Sequence, residues 1–122
     1  MYRIFKVPTF SRWMKKAKLS DQALKVAVGE MKEGLIDADL GSGLIKKRVA
    51  LPGVGKRSGA RTLVATNKKG RWIFLFGFAK NEKANITMRE LEVLRSLSVD
   101  FLNFSESEID HAVAGSALLE VL

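Results

Sequence analysis

The stretch GVGKRSGARTLVATNKKGRWIFLFGFAKNEK, residues 53–83, decides the fold because its pattern is typical of two strands joined by a hairpin. Arg61–Asn67 and Trp72–Lys80 are rich in β-branched and aromatic residues, and neither contains proline. We expect Asn67–Gly70 to connect them, with Gly70 supplying the positive φ of the turn. The stretch also holds eight Lys or Arg residues and one acidic residue, which raises the question of an anionic partner.

Further elements are expected on the N-terminal side of this hairpin. Leu44–Ala50 is predicted to be a third strand of the meander, joined to it by the glycine-rich loop Pro52–Gly59. Tyr2–Val7 is predicted to be a first strand, and two helices should follow, capped by Thr9 and Ser20. Their apolar residues recur at helical spacing, so we expect these to be buried: Phe10, Trp13, Met14, Ala17, Leu24, Ala27, Val28, Met31 and Leu35.

The C-terminal third has the signals of two more helices. Thr87–Glu90 and Ser105–Glu108 are both capping boxes, each flanked by apolar residues at staple spacing. The buried stripe of the first helix should contain Leu91, Val93, Leu94 and Leu97. The second should dock through Phe101, Leu102, Phe104 and Ile109, and Leu118–Leu122 should form an extended tail.

The element order predicts an α+β fold. We expect an antiparallel sheet made of the N-terminal strand and the three-stranded meander, with two N-terminal helices on one face and C-terminal helices beyond. The second face of the sheet should be open. A chain of 122 residues is sufficient for a single domain, in which 1–100 form the core and 101–122 a C-terminal helical extension.

The composition limits the compartment and the chemistry. Cysteine is absent, which excludes disulfides and thiolate metal sites and fits a cytoplasmic protein. The N-terminus lacks the long apolar run of a signal peptide, and the longest such run, Trp72–Ala79, is too short to span a membrane. Asp37 and Asp39 could bind Mg²⁺, but an acidic turn is the favoured interpretation. His111 is a lone histidine on a predicted surface helix and is read as structural or idle.

Positive charge is concentrated in the centre of the chain. Residues 44–83 contain eleven Lys or Arg and one acid, Glu82, whereas residues 84–122 contain two basic and seven acidic residues. A charge excess confined to one segment favours an anionic partner, most commonly nucleic acid. The alternative is a solvated basic face that only increases solubility. The aromatic residues Trp72, Phe74, Phe76 and Phe78 share one strand face by alternation, and core packing is favoured over base stacking for them.

The chain resembles a known family over most of its length. The segments GLIDADLGSGLIKKRVALPGVGKRSGARTLVAT (34–66) and FGFAKNEKANIT (76–87) are similar to the HigB-like branch of RelE toxins, within the RelE/ParE superfamily of bacterial toxin–antitoxin systems. The most specific parts are 43–48, 55–61 and 80–83, which occur in the expected order and at the expected spacing. The sequence departs from RelE at Asn81, where RelE has Arg, and at Ile86 or Thr87, where RelE has Tyr.

The resemblance implies an endoribonuclease that cuts messenger RNA in the ribosomal A site, without a metal or other cofactor. It also implies a cognate antitoxin protein that keeps the toxin silent, and the ribosome and mRNA as partners. The residues that match the positions of the RelE site are Lys46, Arg48, Arg61, Lys80, Asn81, Glu82 and Lys83. The other basic residues of the segment are expected to contact RNA, namely Lys47, Lys56, Arg57, Lys68, Lys69 and Arg71.

Roles can be assigned from side-chain chemistry. Metal-free RNA cleavage needs a base for the 2′-OH, cations for the charge that develops on phosphorus, and an acid for the 5′ oxygen. Arg48 and Arg61 can supply fixed charge but cannot release protons at neutral pH. Lys46, Lys80 and Lys83 are therefore the candidates for proton transfer. Glu82 is either a base or the partner of an arginine.

Two other functions stay open at this point. A ParE-like protein of the same fold would inhibit DNA gyrase by binding it, and fold alone does not separate that function from RNA cleavage. A non-catalytic nucleic-acid-binding module is the other alternative, because the basic cluster contains neither His nor Tyr.

Overall fold

The structure is a computed structural model that describes residues 1–122. The strands are β1 (Arg3–Lys6), β2 (Ala38–Asp39), β3 (Leu44–Val49), β4 (Ala60–Thr66), β5 (Arg71–Ala79) and β6 (Leu119–Val121). The helices are α1 (Pro8–Lys16), α2 (Asp21–Lys32), α3 (Met88–Asn103) and α4 (Glu106–Ala114). No helix has both the length and the apolar character that crossing a membrane requires. The expected α+β class is confirmed.

The six strands form one sheet in the order β2-β3-β4-β5-β1-β6. The predicted antiparallel meander is present as β3, β4 and β5. The N-terminal strand β1 lies parallel to β5, with Arg3 opposite Arg71, so the expectation of a wholly antiparallel sheet is wrong. No hairpin fixes the direction of β1 relative to β5, because two helices and the rest of the meander separate them in the chain. The short edge strands β2 and β6 complete the sheet.

Helices cover both faces of the sheet. On one face, α1 and α2 pack through residues such as Phe10 and Leu24. On the other face, α3 and α4 bury Leu94 and Ile109 against the strands. The prediction of an open second face is therefore wrong, because the apolar side chains of β3–β5 are numerous enough to form a core on each side. The C-terminal helices dock as predicted, since Phe101, Leu102, Phe104 and Ile109 all belong to this second core.

A β-bulge in β5 decides which aromatic residues share a face. Leu63 is opposite Phe76 and Val64 is opposite Phe74, so one residue of β5 is extra. Trp72 and Phe74 consequently point to α1 and α2, whereas Phe76 and Phe78 point to the α3 side. The expectation that these four aromatics share one face is wrong, because simple alternation fails at the bulge. Gly77 then faces α1, where a Cβ atom would overlap the ring of Trp13.

The helix ends largely follow the sequence signals. Ser20 caps α2 by accepting a hydrogen bond from the Ala23 amide, and both predicted capping boxes are formed. Helix α1 begins at Pro8 after an N-cap at Val7, so Thr9 is not its cap. Proline can begin a helix without a side-chain cap because its fixed φ is already helical and it has no N–H to satisfy. In the β4–β5 hairpin the positive φ falls on Lys68 and not on Gly70.

Four residues of the predicted apolar stripes lie outside the core, and one of them is Ala17, the partly exposed C-cap of α1. Leu35 follows the end of α2 and is exposed, and Val93 and Leu97 of α3 are 55% and 37% exposed. The buried side of α3 is instead formed by Leu94 and Ser98, whose hydroxyl donates to the Ser42 carbonyl. Because Leu94 and Ser98 face the sheet, Val93 and Leu97 form an apolar strip on α3 that is left uncovered next to β5.

Candidate functional site

Lys46, Arg48 and Arg61 lie on the α3 side of the sheet. Lys46 follows the buried Leu44 by two residues and Arg61 precedes the buried Leu63 by two, while Arg48 continues the alternation from Lys46. Arg48 is directly opposite Arg61 across β3 and β4. The C-terminal part of α3 packs over the start of β3. A hydrogen bond from the Arg95 side chain to the Leu40 carbonyl holds it there. The other end of this face, with Arg48, is therefore left uncovered.

Arg61 is only 8% exposed and holds the loop between β3 and β4. Its guanidinium donates to the carbonyls of Lys56 at 3.3 Å and Arg57 at 3.2 Å. These bonds hold the Arg57 backbone next to the start of β4. Arg61 thus adds its positive charge from below the surface and fixes the loop, and it does not extend freely into solvent.

Arg48 is half-exposed and is oriented by an aspartate that precedes β2. The Asp37 carboxylate forms an ion pair with the Arg48 Nε at 3.0 Å and accepts a hydrogen bond from the Arg48 backbone amide at 2.6 Å. The two terminal nitrogens of the guanidinium have no partner, so the planar fork is free to bind a phosphate. Asp37 therefore positions a cation. Asp39, the second acid of this turn, accepts from the Gly41 amide.

Lys46 and Lys80 are the two lysines of the predicted cluster that form no ion pair. Lys46 is partly buried beside Leu63, its cross-strand neighbour. Lys80 follows β5, and its backbone amide donates to the Gly59 carbonyl at 3.0 Å, which brings it next to the start of β4. Together with the Arg48 fork, these two ammonium groups give the uncovered end of the face three cations available to a ligand.

Lys83 is already paired. Its ammonium lies 2.5 and 2.7 Å from the two carboxylate oxygens of Glu90, in the first turn of α3. This hydrogen bond is the main cause that lowers the pKa of Glu90. Lys83 also lies 5.6 Å from the centre of the Phe76 ring. The pairing holds Lys83 at the side of the cluster.

Asn81 and Glu82 occupy the exposed turn between β5 and α3. Glu82 accepts a hydrogen bond from the Ala79 amide and forms no ion pair, so it does not orient an arginine here. Neither His111, on α4, nor Tyr2, which contacts Lys32, lies in the cluster. No group of three or more His, Asp or Glu side chains comes together in a way that could hold a metal ion.

Two of the basic residues predicted to contact RNA are buried elsewhere. Lys47 is 4% exposed on the opposite face, where it pairs with Glu30 at 2.9 Å and donates to the Leu35 carbonyl. Arg71 is 7% exposed and donates to the carbonyls of Phe101 and Phe104. The structure therefore corrects the expectation for both residues, since each stabilises the fold and neither is available to RNA.

The other four such residues lie at two places. Lys56 and Arg57 are in the loop next to Arg61, although Lys56 is paired with Glu30 at 2.6 Å. The hydrogen bonds from Lys56 and from Lys47 lower the pKa of Glu30. Lys68 and Lys69 are in the β4–β5 hairpin, at the opposite end of the strands from Arg61. Only Arg57 of this set lies near the uncovered end without an ion pair.

Sequence reasoning missed two features of the site. The sequence favours an acidic turn at Asp37 over Mg²⁺ binding and gives no sign that this residue orients Arg48, as it does in the structure. Simple alternation places Phe76 on the same packing face as Trp72 and Phe74, whereas the bulge moves it to the cationic side. A one-residue bulge cannot be recognised in the sequence of a run such as Trp72–Phe78. Every residue of the run is apolar or glycine, so the strand buries apolar side chains whether or not the bulge is present.

The sequence was also compared with families of known proteins. The sequence model of a family described as the RelE toxin of the RelE / RelB toxin-antitoxin system matches residues 2–121. Among curated proteins, none is a significant match to the chain. The family match covers every element from β1 to β6.

Proposed function

Because the chain belongs to the family of RelE toxins from RelE/RelB toxin–antitoxin systems, we propose that it stops translation by cutting messenger RNA in the ribosomal A site. Its place in the HigB-like branch, its dependence on the ribosome and its neutralisation by a cognate antitoxin are parts of this proposal. A cytoplasmic location follows from the need to meet ribosomes. The observation that carries the proposal is the uncovered end of the sheet face, with the unpaired ammonium groups of Lys46 and Lys80 and the two unpartnered terminal nitrogens of Arg48.

The proposed reaction is attack of a ribose 2′-OH on the adjacent phosphorus. A base removes the 2′ proton, the bond from phosphorus to the 5′ oxygen breaks, and an acid protonates that oxygen. The products are a 2′,3′-cyclic phosphate and a 5′-OH end, and no metal takes part. Lys46 and Lys80 are the proposed proton-transfer groups because neither is neutralised by an acid. The exposed Glu82 is the alternative base.

The arginines are proposed to stabilise the charge that develops on the phosphate. Arg48 offers a free bidentate fork whose orientation Asp37 fixes before RNA binds. Arg61 acts mainly through the loop, since its bonds to the Lys56 and Arg57 carbonyls set the position of Arg57. Lys83 and Asn81 would border the site, and Lys68 and Lys69 would assist the encounter with ribosomal RNA at a distance from it.

The proposed antitoxin presents an acidic or apolar segment to this face. An anionic peptide is complementary to the free cations and would compete with RNA for them. Binding should therefore weaken at high salt. A complex that is insensitive to salt and leaves Lys46, Arg48 and Arg61 uncovered would contradict direct occlusion.

Mapping of RNA ends in cells after induction tests the function. We expect new 5′-OH ends inside translated messages, and none when translation initiation is blocked. Gyrase-dependent double-strand breaks without cut mRNA would indicate a ParE-like inhibitor instead. Growth arrest without cut mRNA and without DNA breaks would indicate a non-catalytic nucleic-acid-binding module. The absence of His and Tyr from the site favours this alternative.

A further inference from the structure

A small apolar cavity opens beside the cationic cluster, between β5 and the first two turns of α3. Its volume is about 200 Å³, and it is lined by Phe76, Arg89, Glu90, Val93 and Leu94. We propose that this cavity is a subsite that receives one nucleobase of the bound RNA, stacked on the ring of Phe76. The inference rests on the proposed function, because it assumes that the RNA phosphate lies against Lys46 and Arg48.

The position of Phe76 relative to the cations follows from the strand register. Lys46, Leu63 and Phe76 are consecutive neighbours across β3, β4 and β5. The Cα atom of Phe76 is therefore two strand spacings, roughly 10 Å, from that of Lys46. The ribose of one nucleotide and the lysine side chain together span this distance. The bulge is what makes the arrangement possible, because without it Phe76 would face α1.

The lining of the cavity suits a base and not a phosphate. Arg89 and Glu90 contribute the carbon atoms of their side chains, while Phe76, Val93 and Leu94 supply the rest. Val93 is exposed although it is apolar, which leaves it free to contact a ligand. Pockets for drug-sized ligands occupy about 300–1,000 Å³, so a cavity of 200 Å³ corresponds to a single planar ring system.

The ammonium group of Lys83 lies beside two residues that line the cavity. The Lys83 ammonium is held by Glu90 and lies 5.6 Å from the centre of the Phe76 ring. A nucleotide whose base enters the cavity therefore meets a positive charge next to its ribose and phosphate. Every base can stack on an aromatic ring, and the larger purines stack most strongly. The subsite should therefore favour purines without selecting a single base, and it should increase the affinity for RNA and position the RNA for the reaction.

The test compares two probes, adenosine 5′-monophosphate and ribose 5-phosphate, titrated into the purified protein and followed by protein NMR. They share the ribose and the 5′ phosphate, and a hydroxyl group replaces the base at C1′ of ribose 5-phosphate. We expect the nucleotide to bind about tenfold more tightly, with the largest shifts at the Phe76 ring and the Val93 methyl groups. Equal affinity, or shifts confined to other parts of the chain, would overturn the proposal.

Two variants make the test specific. Phe76→Leu should reduce the affinity for adenosine 5′-monophosphate to that for ribose 5-phosphate, which itself should not change. Val93→Glu changes an exposed residue, so folding is not at risk, and it should have the same effect through the carboxylate placed in the cavity. Val99→Ala, another exposed apolar residue of α3 that does not line the cavity, is the matched control and should behave as the unmodified chain. Loss of the tenfold preference in the control, or its persistence in both Phe76→Leu and Val93→Glu, would contradict the assignment.

The outcome for the subsite can be separated from the outcome for the proposed function. Lys46→Ala should weaken both probes by the same factor, because it removes a phosphate contact and leaves the cavity intact. If the chain cuts no mRNA in cells but the preference for the nucleotide depends on Phe76, the proposed cleavage is wrong and the subsite stands. If mRNA is cut and Phe76→Leu changes neither binding nor the position of the cuts, the subsite is wrong and the proposed function stands.

Discussion

Arg48 and Arg61 are cross-strand partners on β3 and β4, yet their guanidinium groups go to different places. Like charges directly opposite each other on a sheet destabilise it. Here Arg48 turns to the Asp37 carboxylate at the sheet edge, whereas Arg61 turns under the β3–β4 loop to bind backbone carbonyls. One arginine is thus presented to a ligand and the other supports the loop above it.

Arg61→Ala should reduce mRNA cleavage about a hundredfold, or roughly 3 kcal/mol of transition-state stabilisation, because the site loses a buried positive charge and the support of the loop that carries Arg57. It should also lower the melting temperature by several degrees, because two loop carbonyls lose a charged donor. The protein should still fold and bind its antitoxin. Growth arrest, cleavage assays and thermal unfolding measure these effects.

Two further variants control for bulk charge. Arg61→Lys should restore activity only in part, since one ammonium cannot replace the two guanidinium nitrogens that reach the Lys56 and Arg57 carbonyls. Lys68→Ala removes the same charge from the distant hairpin and should cost little. If Arg61→Ala and Lys68→Ala reduce cleavage equally, the basic segment acts only through its total charge.

Asp37→Asn should reduce cleavage about tenfold although it removes a negative charge from a site that binds an anion. The reason is that Arg48 loses the carboxylate that orients both its Nε and its backbone amide. Asp39→Asn, in the same turn, is the control and should retain full activity, since Asp39 does not contact Arg48. A gain of activity in Asp37→Asn would mean that charge matters more at this site than orientation.

Arg71→Ala should destabilise the protein by about 2–3 kcal/mol in urea unfolding, because the carbonyls of Phe101 and Phe104 and the Glu106 carboxylate lose their buried donor. Arg12→Ala changes an exposed arginine of α1 and should leave the free energy of unfolding unchanged. Cleavage per folded molecule should be the same in both variants. Reduced cleavage by fully folded Arg71→Ala protein would indicate that Arg71 contacts RNA after all.

Acid should weaken the fold through Glu30. Its pKa lies below the ordinary value of 4.5 in the folded chain because Lys56 and Lys47 donate to it. A carboxylate with a lowered pKa stabilises the fold above its unfolded pKa, and this contribution is lost as the pH falls through the folded pKa. We therefore expect Glu30→Gln to be less stable at pH 7, with the difference from the unmodified chain shrinking below pH 4.5 in urea unfolding.

Glu33→Gln is the matched control for that series. Glu33 is exposed at the end of α2 and forms no ion pair, so its replacement should leave stability unchanged at every pH. A Glu30→Gln difference that is constant from pH 7 to pH 3 would show that the carboxylate charge is not the cause.

Deletion of residues 101–122 should prevent stable folding. These residues supply the buried side chains of Ile109 and Leu118 and the edge strand β6. Their loss would expose the second core beneath α4, so we expect the shortened chain to lack a cooperative thermal transition. A cooperative transition at an unchanged temperature would mean that 101–122 is an independent extension.

Local signals in the sequence determined much of the fold. The two capping boxes specify α3 and α4, and the Ser20 cap specifies α2, because each signal satisfies backbone amides within a few residues. Alternation in Leu44–Val49 correctly put Lys46 and Arg48 together and Lys47 opposite. The concentration of cations on the meander was also predictable, because it depends only on the order of residues in the sequence.

The tertiary structure decided which of those cations a ligand can reach. Lys47, Arg61 and Arg71 are indistinguishable from their neighbours in sequence, and each is buried by a partner far along the chain or by a loop. The same holds for the parallel pairing of β1 with β5 and for the bulge that turns Phe76 to the cationic face. These features depend on contacts between segments that are distant in sequence, and the energies that select them arise only when the two cores pack.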